Sequence, residues 1–276
     1  MIPKALINFI KFLEFLSPYL CMRFAAYLWT KPIKSNGKTK EKDISLTSET
    51  FFLKVKSINK IIKCYHWKGD GPKILLVHGW NGRATNMYKI IEKLSQNNFD
   101  VYAFDAPAHG GSSGSNTNLP EFISCIESVV SKLYPIHAIL GHSLGGFASV
   151  YCAAKKIKLD KIILLCPVNN VFELFETFFN YTRLKEKTRN LMINYFIKKT
   201  GIIINSELSS EKLVKQIKSK ILLIHDESDK QLSILDSKKI KKNVVNGTFF
   251  FTKGLGHSRL LMNDKVVEKI ISFLKN

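Results

Sequence analysis

Ser143 lies in the run "LGHSLGG" (140–146), directly after the apolar residues from His137 to Leu140 and directly before a helix-forming stretch. A serine hydroxyl on its own is a weak nucleophile, so chemistry at this position needs an imidazole to accept its proton. The imidazole in turn needs a carboxylate that fixes its tautomer and stabilises the imidazolium. Two later runs, "HDESD" (225–229) and "GLGHS" (254–258), offer those groups. In chain order Ser143, Asp229 and His257 form a set suited to nucleophilic acyl chemistry.

The spacing around the serine carries its own meaning. Gly-x-Ser-x-Gly, here Gly141 to Gly145, suits a sharp turn from strand to helix, because side chains at the flanking positions would collide across it. Such a turn holds the hydroxyl clear of the sheet. It also puts the backbone N–H of Leu144 at a helix N-terminus, where it can donate to a developing oxyanion. A second donor is expected from the loop after the first parallel strand. There "HGW" (78–80) supplies the Trp80 N–H.

These residues need strand ends to position them, and the sequence provides such ends. "KILLVH", "DVYAFD", "HAILG", "KIILLC", "KILLIH" and "GTFFFT" are continuous apolar runs, the pattern of strands buried on both faces of a mostly parallel sheet. Before them, "TFFLKVKS" and "KIIKCYHWK" read as an antiparallel pair joined tightly through Ile58 and Asn59. Helical patterns fall near 86–97, 121–134, 144–156, 236–243 and 264–275. The alternation predicts a doubly wound α/β sheet of about eight strands, mostly parallel. In such sheets the site lies at the carboxyl ends of the strands, where the reactive residues fall.

The stretches "LLVHGWNGRA", "FDAPAHGGSS", "GHSLGG", "HDESD" and "GLGHSR" match, in order and spacing, single-domain bacterial hydrolases. From about residue 50 to 275 the chain resembles the α/β-hydrolase fold superfamily. The resemblance implies a nucleophile at Ser143, an acid at Asp229 and a general base at His257, with no cofactor and no metal. Asp226 and Glu227 share the acid loop, and Asp229 is the one that matches the family position. Two departures touch loop geometry only. Ala108 stands where glycine is usual in the loop after "VYAFD", and Ser233 stands where proline often follows the acid.

The other ionisable residues have structural readings. His66 and His137 lie in or at strands. His78 and His109 belong to glycine-rich loops, where imidazole braces backbone. His142 flanks the serine but points away from it, and His225 ends a strand just before the acid loop. Asp105, at the end of "VYAFD", is expected to brace its own loop.

Composition limits the partners. The formal charge of +20 comes from 37 lysines and 5 arginines against 22 acidic residues, scattered over nearly every segment. Specific nucleic-acid recognition favours arginine, so a solvated lysine-rich surface is the expectation. The five cysteines, 21, 64, 125, 152 and 166, are widely spaced without a C-x-x-C pair, which suggests free thiols and a cytoplasmic setting.

Residues 1–43 read as an N-terminal helical segment followed by a polar linker, and 44–276 as the α/β-hydrolase domain. Within 4–29 the charges of Lys11, Glu14 and Arg23 and the break at Pro18 argue against a membrane span. Lys4, Asn8, Lys11 and Glu14 draw a narrow polar stripe on an otherwise apolar amphipathic helix. Its apolar face must pack on its own domain, on a second subunit as a homo-oligomer contact, or on a peripheral membrane surface; packing on protein is favoured. Residues 167–210 read as a helical cap insertion. Its Phe172, Phe175, Phe178 and Phe179 are either the buried face of a helix or the roof of an acyl pocket.

Three function classes follow. The first is a serine hydrolase acting on a small-molecule ester or thioester through an acyl-enzyme. The second is acyl transfer or perhydrolase-type chemistry at the same site. The third is a binding module on a hydrolase scaffold, disfavoured because all three reactive residues are present.

Overall fold

The structure, a computed structural model, describes residues 3–33 and 37–276. Its strands are β1 (Glu49–Val55), β2 (Lys60–Trp67), β3 (Lys73–Val77), β4 (Asp100–Phe104), β5 (Ala138–His142), β6 (Lys161–Leu165), β7 (Lys220–Asp226) and β8 (Gly247–Thr252). They form one sheet in the order β1-β2-β4-β3-β5-β6-β7-β8. Strand β2 runs antiparallel to both of its neighbours, and every pairing from β4 to β8 is parallel. All eight apolar runs in the sequence therefore became strands. The β1–β2 hairpin turns through a short 3-10 segment that ends on Asn59 at φ 50°, a left-handed position that asparagine tolerates.

The helices are α1 (Lys4–Leu16), α2 (Pro18–Thr30), α3 (Thr39–Leu46), α4 (Tyr88–Gln96), α5 (Leu119–Leu133), α6 (Leu144–Lys155), α7 (Val171–Thr182), α8 (Glu186–Thr200), α9 (Ser210–Leu213), α10 (Ile234–Lys241), α11 (Gly256–Arg259) and α12 (Asp264–Lys275). Alternate strand residues serve opposite faces of the sheet. Ile74, Leu76, Leu140, Ile163, Leu222 and Ile224 join Ile90, Ile91 and Leu94 of α4 and Val266 and Ile270 of α12 in one core. Their neighbours Leu75, Val77, Ile139 and Leu164 are also wholly buried, as are Phe122 of α5 and Phe147 of α6. Continuous apolar runs were required because neither face meets water.

The chain divides into two compact units. One joins Met1–Pro32 with Asn170–Ser209; the other joins Ile33–Asn169 with Ser210–Asn276 and contains the whole sheet. Within the first, Phe175 of α7 packs on Trp29 of α2, on Phe196 of α8 and on Phe179. Phe175 and Phe179 are buried, so these two aromatics form the core of the helical unit. The Lys185 N–H donates to Glu14 Oε1 at 2.9 Å, and the Arg23 guanidinium lies over the Tyr195 ring.

Three local expectations are corrected. The apolar N-terminal segment is two helices, because extended Ser17 interrupts it and caps α2 through Leu20 N–H, with Pro18 in the first turn. Glu14 leaves the polar stripe: its side chain is buried, whereas Lys4, Asn8 and Lys11 stay exposed. The part of the expected linker from 39 to 43 is helical within α3; residues 34–36 lie outside the described chain. Helix α3 is anchored at its end, where the Trp67 indole N–H donates to Ile44 O at 3.0 Å and Ile44 packs against the sheet core.

Candidate active site

The turn from β5 into α6 is tightly built. Ser143 adopts φ 54°, ψ −120°, a left-handed strain that a nucleophile elbow stores at its serine. A side chain at Gly145 would collide with the carbonyl oxygens of Val77 and His78, so glycine lets α6 start against the end of β3. A side chain at Gly79 would come within 2.8 Å of Ser143 Cβ. The loop after β3 therefore passes directly beside the serine only because position 79 is glycine. The Trp80 N–H in that loop and the Leu144 N–H at the start of α6 donate no hydrogen bond to another described residue.

The loop after β3 is held by the groups expected to brace it. His78 donates from Nδ1 to Gly79 O at 2.7 Å and accepts the Ala106 N–H at Nε2. His109 accepts the Asn81 N–H at 3.1 Å. Buried Asp105 accepts from the N–H groups of Ala84 and Gly111 and from the Tyr65 hydroxyl. Ala108 lies at φ 64°, which explains why glycine suits that position better. Ser233 caps α10 by accepting the Leu235 N–H.

The carboxyl ends of β7 and β8 bring Asp229 and His257 together. His257 Nδ1 lies 2.7 Å from Asp229 Oδ2, and the Asp229 carboxylate has no solvent exposure. Asp229 Oδ1 also accepts the N–H groups of Gln231 and Leu232 at 2.8 and 3.1 Å. Burial alone would raise the carboxyl's pKa. Hydrogen bonds from His225, His257 and Leu232 outweigh it and hold the group far below the usual carboxylate range. The His257 ring lies 4.7 Å, centroid to centroid, from that of His142, the residue preceding Ser143. His142 turns its Nε2 to His257 O at 3.1 Å, so it points away from the serine side of the turn. Burial, and then the neighbouring His257, push the His142 imidazole down to about 3. An open cleft of about 350 Å³ is lined by His257 together with Lys230, Gln231, Leu255 and Arg259.

Asp226, the rival acid, has a different task. Its carboxylate accepts from Thr252 Oγ1 at 2.7 Å and from the N–H groups of Ser228, Leu255 and Gly256. It ties the end of β7 to the loop that carries His257 and makes no bond to the imidazole among the described residues.

Sequence reasoning missed His225. Its Nε2 lies 3.2 Å from Leu232 O and 3.3 Å from Asp229 Oδ2, and its Nδ1 lies 2.6 Å from Ser237 Oγ. A histidine at the end of a strand that feeds the acid loop was the available signal. Cys166, His225 and Asp229 also bring potential metal-ligating atoms within 4.8 Å of one another. Both ring nitrogens of His225 and both oxygens of Asp229 are already committed to hydrogen bonds. Burial also pushes the Cys166 thiol far above its ordinary pKa and keeps it protonated. The cluster is built as a hydrogen-bonded brace, and its donor set does not fit a metal.

Comparison with known proteins is consistent with this geometry. A family model described as alpha/beta hydrolase fold matches residues 72–204, from β3 through the elbow and beyond α8. A human "Serine hydrolase-like protein" is 36% identical over 103 residues, 35% of this chain and 50% of the relative. The pimeloyl-[acyl-carrier protein] methyl ester esterase of Vibrio campbellii is 34% identical over 91 residues, 32% of this chain and 34% of the relative. The chain thus spans half or less of the length of these relatives. Among solved structures, the Pyrococcus furiosus esterase Pf2001 superposes with a TM-score of 0.66 at 20% identity, over 89% of this chain and 96% of that one. At that identity the likeness speaks for the fold. Sheet order, elbow and matched stretch agree, and the chain has the α/β-hydrolase fold.

Proposed function

We propose that this protein is a serine hydrolase that cleaves carboxylic esters or thioesters through an acyl-enzyme. Ser143 is the nucleophile, His257 the general base and Asp229 its carboxylate partner. The observation that carries this reading is the buried 2.7 Å contact between His257 Nδ1 and Asp229 Oδ2, at the same end of the sheet as the strained Ser143 turn. With its Nδ1–H given to Asp229, a neutral His257 keeps its lone pair on Nε2.

The Ser143 Oγ attacks the carbonyl carbon while its proton passes to His257 Nε2, and the carbonyl oxygen becomes an oxyanion. The Leu144 and Trp80 N–H groups are suited to receive that charge, the former with the positive end of the α6 dipole behind it. Collapse of the intermediate expels the alcohol or thiol, which takes the proton from Nε2. Water then attacks the acyl-enzyme and gives its proton to the same nitrogen. Ser143 leaves with that proton, and the free acid is released. The ester-cleaving names among the relatives support this substrate class. All five cysteines are free and buried, which fits a cytoplasmic setting.

A fluorophosphonate probe followed by peptide mapping tests the nucleophile, and a panel of nitrophenyl esters and matched thioesters tests the class. The expected result is one label per chain, on Ser143, and turnover that Ser143→Ala abolishes. Labelling elsewhere, or undiminished turnover in Ser143→Ala, overturns the reading.

A further inference from the structure

Within the helical unit, α1 and α2 use one side for packing. Ile10, Glu14, Cys21, Met22, Ala25 and Ala26 are buried there. The opposite side is apolar and uncovered. Phe9, Phe12, Phe15, Leu16, Tyr19 and Leu20 all stand in solvent within twelve consecutive residues, Phe15 at 84% and Phe12 at 56% exposure. They lie on both sides of the Ser17 break, from α1 into the first turn of α2. Apolar side chains scattered singly over a surface need no explanation, but six exposed within one twelve-residue stretch mark an interaction site.

We propose that this elbow docks on the surface of an anionic lipid bilayer. Charge decides between the occupants. Every exposed charge on the described residues up to Ile33 is positive: Lys4, Lys11, Arg23 and Lys31. The one acidic residue of that segment, Glu14, is buried and accepts the Lys185 N–H. A second copy of the chain would bring the same patch, with the same lysines, against itself in a two-fold contact, and each copy carries +20. A bilayer rich in anionic headgroups answers both features, the apolar ridge entering the interface and the basic residues meeting the headgroups. The geometry is that of a helix pair lying on the surface. Each helix has 13 residues, about 20 Å at 1.5 Å per residue, short of the roughly 30 Å hydrocarbon core. Among the described residues no helix is long and apolar enough to cross a membrane. This proposal stands independently of the ester chemistry.

Co-sedimentation of the full chain with vesicles of phosphatidylcholine alone, and of phosphatidylcholine with phosphatidylglycerol, tests it. The expected result is binding to the anionic vesicles that weakens as salt is raised, with much weaker binding to the neutral ones. Phe12→Ser/Phe15→Ser/Leu16→Ser should lower the partition coefficient by at least about tenfold. Lys4→Glu/Lys11→Glu should lower it without touching the apolar ridge. The single variant Phe15→Ser alters a side chain that packs on almost nothing, so it keeps the test open if the triple variant fails to fold. Absence of anionic-vesicle binding, or equal binding by wild type and Phe15→Ser, overturns the proposal. So does a concentration-dependent dimer in sedimentation velocity that Phe15→Ser dissociates, since a second copy would then cover the ridge.

Discussion

His225 and Asp229 meet through the oxygen that also receives the imidazole of His257. Asp229 Oδ2 lies 3.3 Å from His225 Nε2 and 2.7 Å from His257 Nδ1. With Ser237 Oγ–H donating to Nδ1, the His225 proton sits on Nε2, shared between Leu232 O and the carboxylate. His225 is therefore placed as a positioning residue for Asp229. His225→Leu should lower kcat about 10- to 100-fold with little change in KM, because the carboxylate loses a restraint that substrate does not touch. A fall in kcat matched by an equal fall in the folded fraction would reduce His225 to packing.

The two aspartates of the acid loop should separate cleanly. Asp229→Asn presents an amide to His257 and favours the wrong tautomer, so kcat should fall by about 10⁴-fold with the fold retained. Asp226→Asn loses charge-assisted bonds from Thr252, Ser228, Leu255 and Gly256. It should cost about 1–3 kcal/mol in stability, with a smaller loss of kcat through a loosened His257 loop. Paired urea unfolding and ester kinetics check both. A near-neutral Asp229→Asn beside an inactive Asp226→Asn would exchange the two assignments.

Much of this was legible locally, and the reason is the sheet. A strand buried on both faces must be apolar at every position, so each run announced itself, and the reactive residues followed where the runs stopped. The α3 helix was hidden because lysines dominate "TKEKDISL" and only the contacts of Ile44 reveal why it forms. Glu14 read as solvated because its partner, the Lys185 N–H, is remote in sequence. The shared unit of Met1–Pro32 and Asn170–Ser209 is invisible for the same reason, since periodicity reports which face is buried and never against what. Phe175 and Phe179 show the ambiguity directly: a pocket roof and a helix core have the same spacing, and here they are core.

The strain at Ser143 gives a prediction that concerns stability alone. At φ 54° an L side chain is disfavoured and glycine is not. Ser143→Ala removes the hydroxyl but keeps the strain, so its unfolding free energy should stay within about 0.5 kcal/mol of wild type. Ser143→Gly should be the more stable of the two variants by about 1 kcal/mol, although the unfolded glycine chain has more entropy to lose. Both should be inactive. Denaturant melts of the pair measure the difference, and an alanine variant more stable than the glycine variant would show that the turn is not strained.

His142 links the site to acid stability. Burial, followed by the neighbouring His257, depresses its imidazole to about 3, and its ring donates to His257 O at 3.1 Å. In the unfolded chain an imidazole binds its proton near about 6.5. Between those values the unfolded state holds more protons than the native one, so stability falls as pH falls, by up to ~1.4 kcal/mol per pH unit for each such group. His78, also depressed by burial, adds to the slope in the same direction. Asp226 and Asp229 are held below the carboxylate range, so their contribution stays intact through this window and is lost only below about pH 4. Asp236, raised by burial, works in the opposite direction near the carboxylate range. Urea unfolding from about pH 7 to about pH 5.5 should therefore show a declining free energy ahead of the main carboxylate titration. His142→Gln keeps an N–H donor for His257 O and removes the titration, so its decline should be shallower by up to one proton. Equal slopes in wild type and His142→Gln would mean that another group carries the acid sensitivity.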